Sequence, residues 1–159
     1  MSYLKAGDIV SGQEAVANIV VYNKDGSTTV EPLFYAKNLE ATVEIEKTEI
    51  YTLGKRGAQN KPNGWKGSGN MTIYYVTTRF RDMVLNYIKN GYLASFDLTV
   101  TNNDPGSTIG AQTVVLKGCT LDSVIVAKFD TESEALDESV DFTFDDLDIL
   151  KKFTKPALG

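Results

Sequence analysis

Residues 39–46 read Leu-Glu-Ala-Thr-Val-Glu-Ile-Glu, and this stretch decides the fold class. Leu39, Ala41, Val43 and Ile45 alternate with Glu40, Thr42, Glu44 and Glu46, a period of two that an extended strand turns into two distinct faces. One face is expected to be buried and the other wet and acidic. The same alternation returns from Met71 to Val76 and at Tyr92, Ala94, Phe96, Leu98 and Val100. It returns again at Val140, Phe142 and Phe144, set against Asp141, Thr143 and Asp145. Upstream, Lys24-Asp25-Gly26-Ser27 separates runs 17–22 and 28–33. Asp-Gly accepts the positive φ of a tight turn, so these two runs predict a hairpin. Thr113 to Leu116 and Cys119 to Phe129 supply further strands. The pattern predicts a mainly β fold, an antiparallel β-sandwich or partly open barrel.

A single helix interrupts the strands. From Arg79 to Asn90, the residues Phe80, Met83, Val84, Tyr87 and Ile88 fall at the i, i+3, i+4, i+7, i+8 spacing of one apolar stripe. The stripe is read as core, packed on the sheets, and not as a cofactor pocket. Thr77 or Thr78 can cap its start, and Gly91 can end it in the left-handed conformation. At 159 residues the chain is expected to form one domain, 1–159, with one hydrophobic core. Hydrophobic residues make up 42% and charged residues 23%, which fits neither a disordered chain nor a membrane span. The opening MSYLKAGDIVSG lacks a basic-then-apolar signal pattern, so synthesis and residence in the cytoplasm are expected. The lone Cys119 has no disulfide partner, and without histidine a zinc site is close to excluded. No cofactor and no enzymatic chemistry are expected.

Charge is distributed unevenly along the chain. Residues 1–50 and 91–159 are acidic, whereas 51–90 carry seven Lys or Arg against Asp82 alone, a balance of +6 within a net charge of -5. Such asymmetry lets the basic segment of one copy meet the acidic surface of another, or a polyanion. Gly54 to Gly69, GKRGAQNKPNGWKGSG, has no apolar period and is expected to be a long interaction loop. Lys55, Arg56, Lys61, Lys66 and Trp65 are its candidate contact residues.

Other chemistries fit less well. Gly64, Gly67 and Gly69 cluster, but neither phosphate-cradling glycine pattern is met and no helix follows. Nine acids between Asp130 and Asp148 lack the spacing and glycine of a calcium loop. Nothing marks two carboxylates as a glycosidase pair. Asn70-Met71-Thr72 matches the glycosylation triplet by chance, and Asn102-Asn103-Asp104-Pro105-Gly106 is a turn cluster. Nucleic-acid binding through the basic residues and Trp65 is chemically feasible, so a soluble polyanion-binding module is the alternative function, although the acidic remainder would repel the same polymer.

Three long strings carry a resemblance: residues 53–91, LGKRGAQNKPNGWKGSGNMTIYYVTTRFRDMVLNYIKNG; residues 96–130, FDLTVTNNDPGSTIGAQTVVLKGCTLDSVIVAKFD; and residues 137–153, DESVDFTFDDLDILKKF. Together they resemble the tail tube proteins of contractile phage tails, PBSX-type prophage particles and related bacteriocin particles. The resemblance implies stacked hexameric rings in which each subunit adds sheets to a continuous inner barrel. It places the helix on the barrel's flank and has the long loop reach a neighbouring ring. Implied partners are other copies of the chain, a sheath and a baseplate, with DNA passing through unbound and no membrane involved. The implied location is a virion tail. A conduit for DNA needs an acidic or polar lumen, because an attractive wall would bind each phosphate. Glu40, Glu44 and Glu46, or Asp141 and Asp145, are the lumen candidates.

Overall fold

The computed structural model describes residues 2–33 and 35–159. A 3-10 turn, Ala6–Asp8, precedes β1 (Ala15–Tyr22), β2 (Thr28–Pro32), β3 (Ala36–Ile50) and β4 (Gln59–Tyr74). Then come α1 (Arg79–Asn90), β5 (Ser95–Asn103), β6 (Ala111–Val124), β7 (Asp137–Phe144) and β8 (Asp146–Lys151). All strand pairs are antiparallel, in the order β2-β1-β5-β6-β7-β4-β3, with β8 also on β6. The sheet does not close. The predicted first hairpin is present, with Tyr22 opposite Thr28 and Gly26 at φ 88°.

The sheet folds over one core. Phe96 of β5 meets Phe142 of β7 edge-on at 6.0 Å and Phe80 of α1 at 6.5 Å, joining both halves of the sheet and the helix. All three rings are fully buried, each worth roughly 1.5–3 kcal/mol of transfer free energy. A half made of β2, β1, β5, the first part of β6, and β8 faces a half made of the second part of β6, β7, β4 and β3. We call these the outer sheet and the wall sheet. The turn after Asn103 is fastened to the segments around it, since Asp104 accepts from Ser11 N and buried Asp8 accepts from Thr108 Oγ1 (2.6 Å), Lys5 N (2.9 Å) and Leu158 N (3.3 Å). Those bonds, Thr108 foremost, hold the Asp8 carboxyl below the usual carboxylate range.

Four expectations change. Residues 54–69 are not a long loop: only 51–58 turn, and Gln59 onward is strand, paired with β3 from Gln59–Ile50 to Ile73–Ala36. Their glycines serve close approach instead of flexibility. Gly67 and Gly69 lie opposite Phe144 and Phe142, whose rings cover them so closely that a Cβ at either would fall inside the ring's contact distance. Pro62 is tolerated because, among the described residues, β4 pairs there with β3 alone.

Second, Leu39–Glu46 is a strand as predicted, yet its apolar side is not buried. Every residue from 40 to 66 is exposed, with Val43 at 41% and Ile45 at 56%. β3 and the outer part of β4 project as a two-stranded ribbon that, among the described residues, has no layer behind it. Third, α1 spans the predicted residues and ends at Gly91 (φ 73°), but only Phe80 and Met83 are buried, while Tyr87 and Ile88 are more than half exposed. The start of the stripe meets the core, and its far end overhangs it. Thr78 occupies the N-cap position without a side-chain bond, whereas Thr77 Oγ1 accepts from Arg79 N at 3.3 Å. Fourth, the apolar run after Cys119 is strand only to Val124, and Phe129 stands in solvent at 87%.

Candidate functional site

The register gathers the candidate carboxylates onto one surface. Glu40 lies opposite Asn70, and Asn70 opposite Asp141, so the three form a row across β3, β4 and β7. Asn70 Nδ2 donates to Asp141 Oδ1 at 2.5 Å and to Ser139 Oγ at 2.8 Å. The next row is Thr42, Ser68, Thr143 and Thr120. Glu40, Thr42, Ser68, Asn70, Asp122 and Asp141 line a shallow depression of about 410 Å³ on this face. Glu40 of one alternative set and Asp141 of the other therefore share one polar face of the wall sheet. Asp145 stands apart, one residue past β7 at the edge of a second depression that it shares with Trp65, Lys66 and Thr143.

The opposite face is apolar. Leu39, Ala41, Val43 and Ile45 are opposite Met71, Gly69, Gly67 and Trp65, and Trp65 packs on Phe144 with ring centroids 6.1 Å apart. Trp65 remains 44% exposed and, with Val43, Ile45, Pro62 and Leu147, lines an open apolar groove of about 440 Å³. Trp65 and Lys66, adjacent in sequence, thus serve opposite faces.

The five basic-segment candidates do not act as one cluster. Lys55 and Arg56 sit in the turn of the ribbon and Lys61 on its β4 edge, all exposed. Lys66 Nζ instead lies 3.1 Å from Glu46 across the ribbon, a contact that raises the lysine's pKa, the hydrogen bond first and the attraction second. A lumen candidate and a contact candidate therefore neutralise each other. On that exposed ribbon solvent screens the pair, so it adds little to stability.

Sequence reasoning missed the buried charge pair. Glu138 is buried to 1% exposure and bonded to Arg81, which also donates to Thr77 O and stacks on the Tyr75 ring at 4.3 Å. Its available signal was a single acid at an inward position of β7, next to the alternating Val140 and Phe142. The other acids of 130–148 include Asp137, held between Lys37 and Lys128, and Asp148, paired with Lys117. Cys119 is enclosed in the core, and burial pushes its thiol up to about 12, so it offers no thiolate nucleophile.

An open antiparallel sheet with one polar and one apolar face, a 15-residue edge strand that among the described residues is paired on one side only, and a projecting ribbon defines a structural subunit that works through its surfaces. The sequence profile of the phage tail tube protein family matches residues 2–151, and the chain belongs to that family. It is 35% identical to the phage-like element PBSX protein XkdM of Bacillus subtilis (strain 168) over 151 residues, 95% of this chain and 97% of that protein. The fold is similar to a chain in the sheath/tube terminator of an extracellular contractile injection system (TM-score 0.66, 13% identity, 90% of this chain and 97% of that one). It is also similar to the SPP1 tail tube structure (TM-score 0.62, 10% identity, 92% and 81%). The chain is a tail tube structural subunit.

Proposed function

We propose that six copies close into a ring, that rings stack into a hollow tube, and that the polar face of the wall sheet lines the lumen through which DNA or ions pass. The observation that carries this reading is the wall sheet itself: four strands, one polar face, and two unpaired edges. Among the described residues, β3 is free along its outer side, and β6 beyond Cys119 is free on the side away from β7. Edge-to-edge joining of copies would pair both edges and close the sheet. Carboxylates of Glu40, Glu44 and Asp141 on that face would repel phosphate and let a polyanion slide. The number six, the sheath and baseplate partners, and the place in a virion tail come from the resemblance.

The exposed apolar side of the ribbon supports assembly further, since a two-stranded ribbon is marginal in water until something covers it. Its basic turn fits the acidic surface of a copy in the next ring, a heterologous contact that propagates as a filament. Negative-stain electron microscopy of the purified chain across a concentration series, read beside its light-scattering mass, should show rings or tubes. Monomers at every concentration that retain DNA with a steep salt dependence would replace this reading with polyanion binding.

Reversing Lys55, Arg56 and Lys61 to glutamate is expected to leave the far-UV circular dichroism unchanged and to abolish stacking. Lys66 is kept, because a glutamate there would face Glu46. Tubes of wild-type length from the reversed protein would remove the basic turn from the ring-to-ring contact.

A further inference from the structure

β6 pairs with β7 and then β8 as one ladder that passes from the wall sheet to the outer sheet. Between the two partners the ladder is carried by Asp145 N donating to Lys117 O at 3.0 Å. At the same level, Phe96 is opposite Cys119 and Leu98 opposite Leu116, so Lys117 and Gly118 together face the single residue Asp97 of β5. Two residues against one is a β-bulge, which bends its strand and raises its twist. Gly118 takes φ 65° there, and a Cβ would come to 3.0 Å from the Asp145 carboxylate. Asp97 fastens the bulge from the other side. Its Oδ1 accepts from Gly118 N at 3.2 Å, and its Oδ2 accepts from Tyr22 Oη at 2.7 Å, tying the corner to β1. The phenol is held above its ordinary pKa, by that hydrogen bond first.

We propose that Asp97 is the positioning residue that fixes the bend of β6 at Gly118, and that this bend sets the curvature of the wall and the number of copies per ring. The inference rests on the tube reading. Among the described residues, the hydrogen-bonded sheet passes between its halves only through this corner. β6 also supplies one of the two free edges of the wall. A ring closes only when each copy is rotated against the next by one fixed angle, so turning the β6 edge changes the rotation at which copies join.

The test compares Asp97→Ala, Asp97→Asn and Lys117→Ala by end-on averaging of assembled tubes. Asp97→Asn keeps one oxygen for the Gly118 amide and loses the second acceptor. Lys117→Ala removes the neighbouring surface pair with Asp148 and leaves the corner bonds intact. Asp97→Ala is expected to give rings with a different or mixed number of copies, Asp97→Asn a smaller departure, and Lys117→Ala rings like wild type. Folded Asp97 variants with wild-type rings would overturn the inference while leaving the tube reading in place. If the wild-type chain stays monomeric and retains DNA with a steep salt dependence, the tube reading fails, and residual dipolar couplings of the monomer then measure the angle between the half-sheets directly. An unchanged angle in both Asp97 variants overturns the inference there as well. Where Asp97→Ala does not fold, Asp97→Asn and Tyr22→Phe supply the comparison.

Discussion

Replacing Gly69 with valine is expected to lower the unfolding free energy by about 3 kcal/mol or more, the upper range for forcing volume into a filled core. The new side chain would arise where the Phe142 ring already sits. Phe142 cannot yield cheaply, because it is fully buried and packs edge-on against Phe96, which packs in turn on Phe80 of the helix. Interiors at crystal-like density transmit such a displacement. Gly64 provides a matched control on the same strand: a Cβ there meets only the Glu46 carboxylate, at 3.6 Å. Gly64→Val should be neutral or stabilising by up to about 1 kcal/mol, since a side chain restricts the unfolded chain and suits an exposed strand. Urea midpoints of the two variants decide the matter. Equal losses at both positions would mean that chain flexibility, and not the aromatic cover, explains the glycines.

Arg81→Ala should be comparably severe, with a loss of about 3–5 kcal/mol, because it strands the Glu138 carboxylate inside the fold without its cation. Glu138 Oε2 is held by Arg81, and Oε1 has no hydrogen-bond partner among the described residues, so little remains to solvate the charge once the guanidinium is gone. The reverse change, Glu138→Ala, should cost less: the Arg81 side chain is 15% exposed and keeps the Thr77 carbonyl and the Tyr75 ring. A double variant, Arg81→Met with Glu138→Leu, should recover much of the loss, since filling the same volume with apolar groups avoids burying either charge. Thermal unfolding of the three proteins tests the set. A double variant as unstable as the two single losses added together would show that the pair contributes shape and not charge compensation.

The wall sheet shows how far periodicity reaches. Alternation at Leu39–Glu46 and Val140–Asp145 identified strands and separated polar from apolar sides, because the backbone geometry of any strand enforces a period of two. It could not say whether the apolar side is covered. Phe142 and Phe144 enter the core, whereas Val43 and Ile45 face solvent on the ribbon, and the two patterns look alike in sequence. The 54–69 segment was misread for a related reason. Glycine is ambiguous between a flexible connection and a close approach, and the Phe142 and Phe144 rings that resolve the ambiguity lie far away in the chain. The helix was legible because its stripe, Thr77 and Gly91 are all local signals; its overhang beyond Met83 was not, since helix length is local and the extent of the core beneath it is not.

By itself the sequence determined the antiparallel, mainly β class, the single helix with its Gly91 end, the Asp25-Gly26 hairpin and the acidic side of the strands, each through interactions among residues close in the chain. Only the tertiary structure decided that Glu40, Asn70 and Asp141 form one row, that Lys66 is matched to Glu46, that Arg81 meets Glu138 and that β6 bends at Gly118 under Asp97. Each of these depends on strand order and register, which bring distant segments into contact at distances that local propensity does not encode.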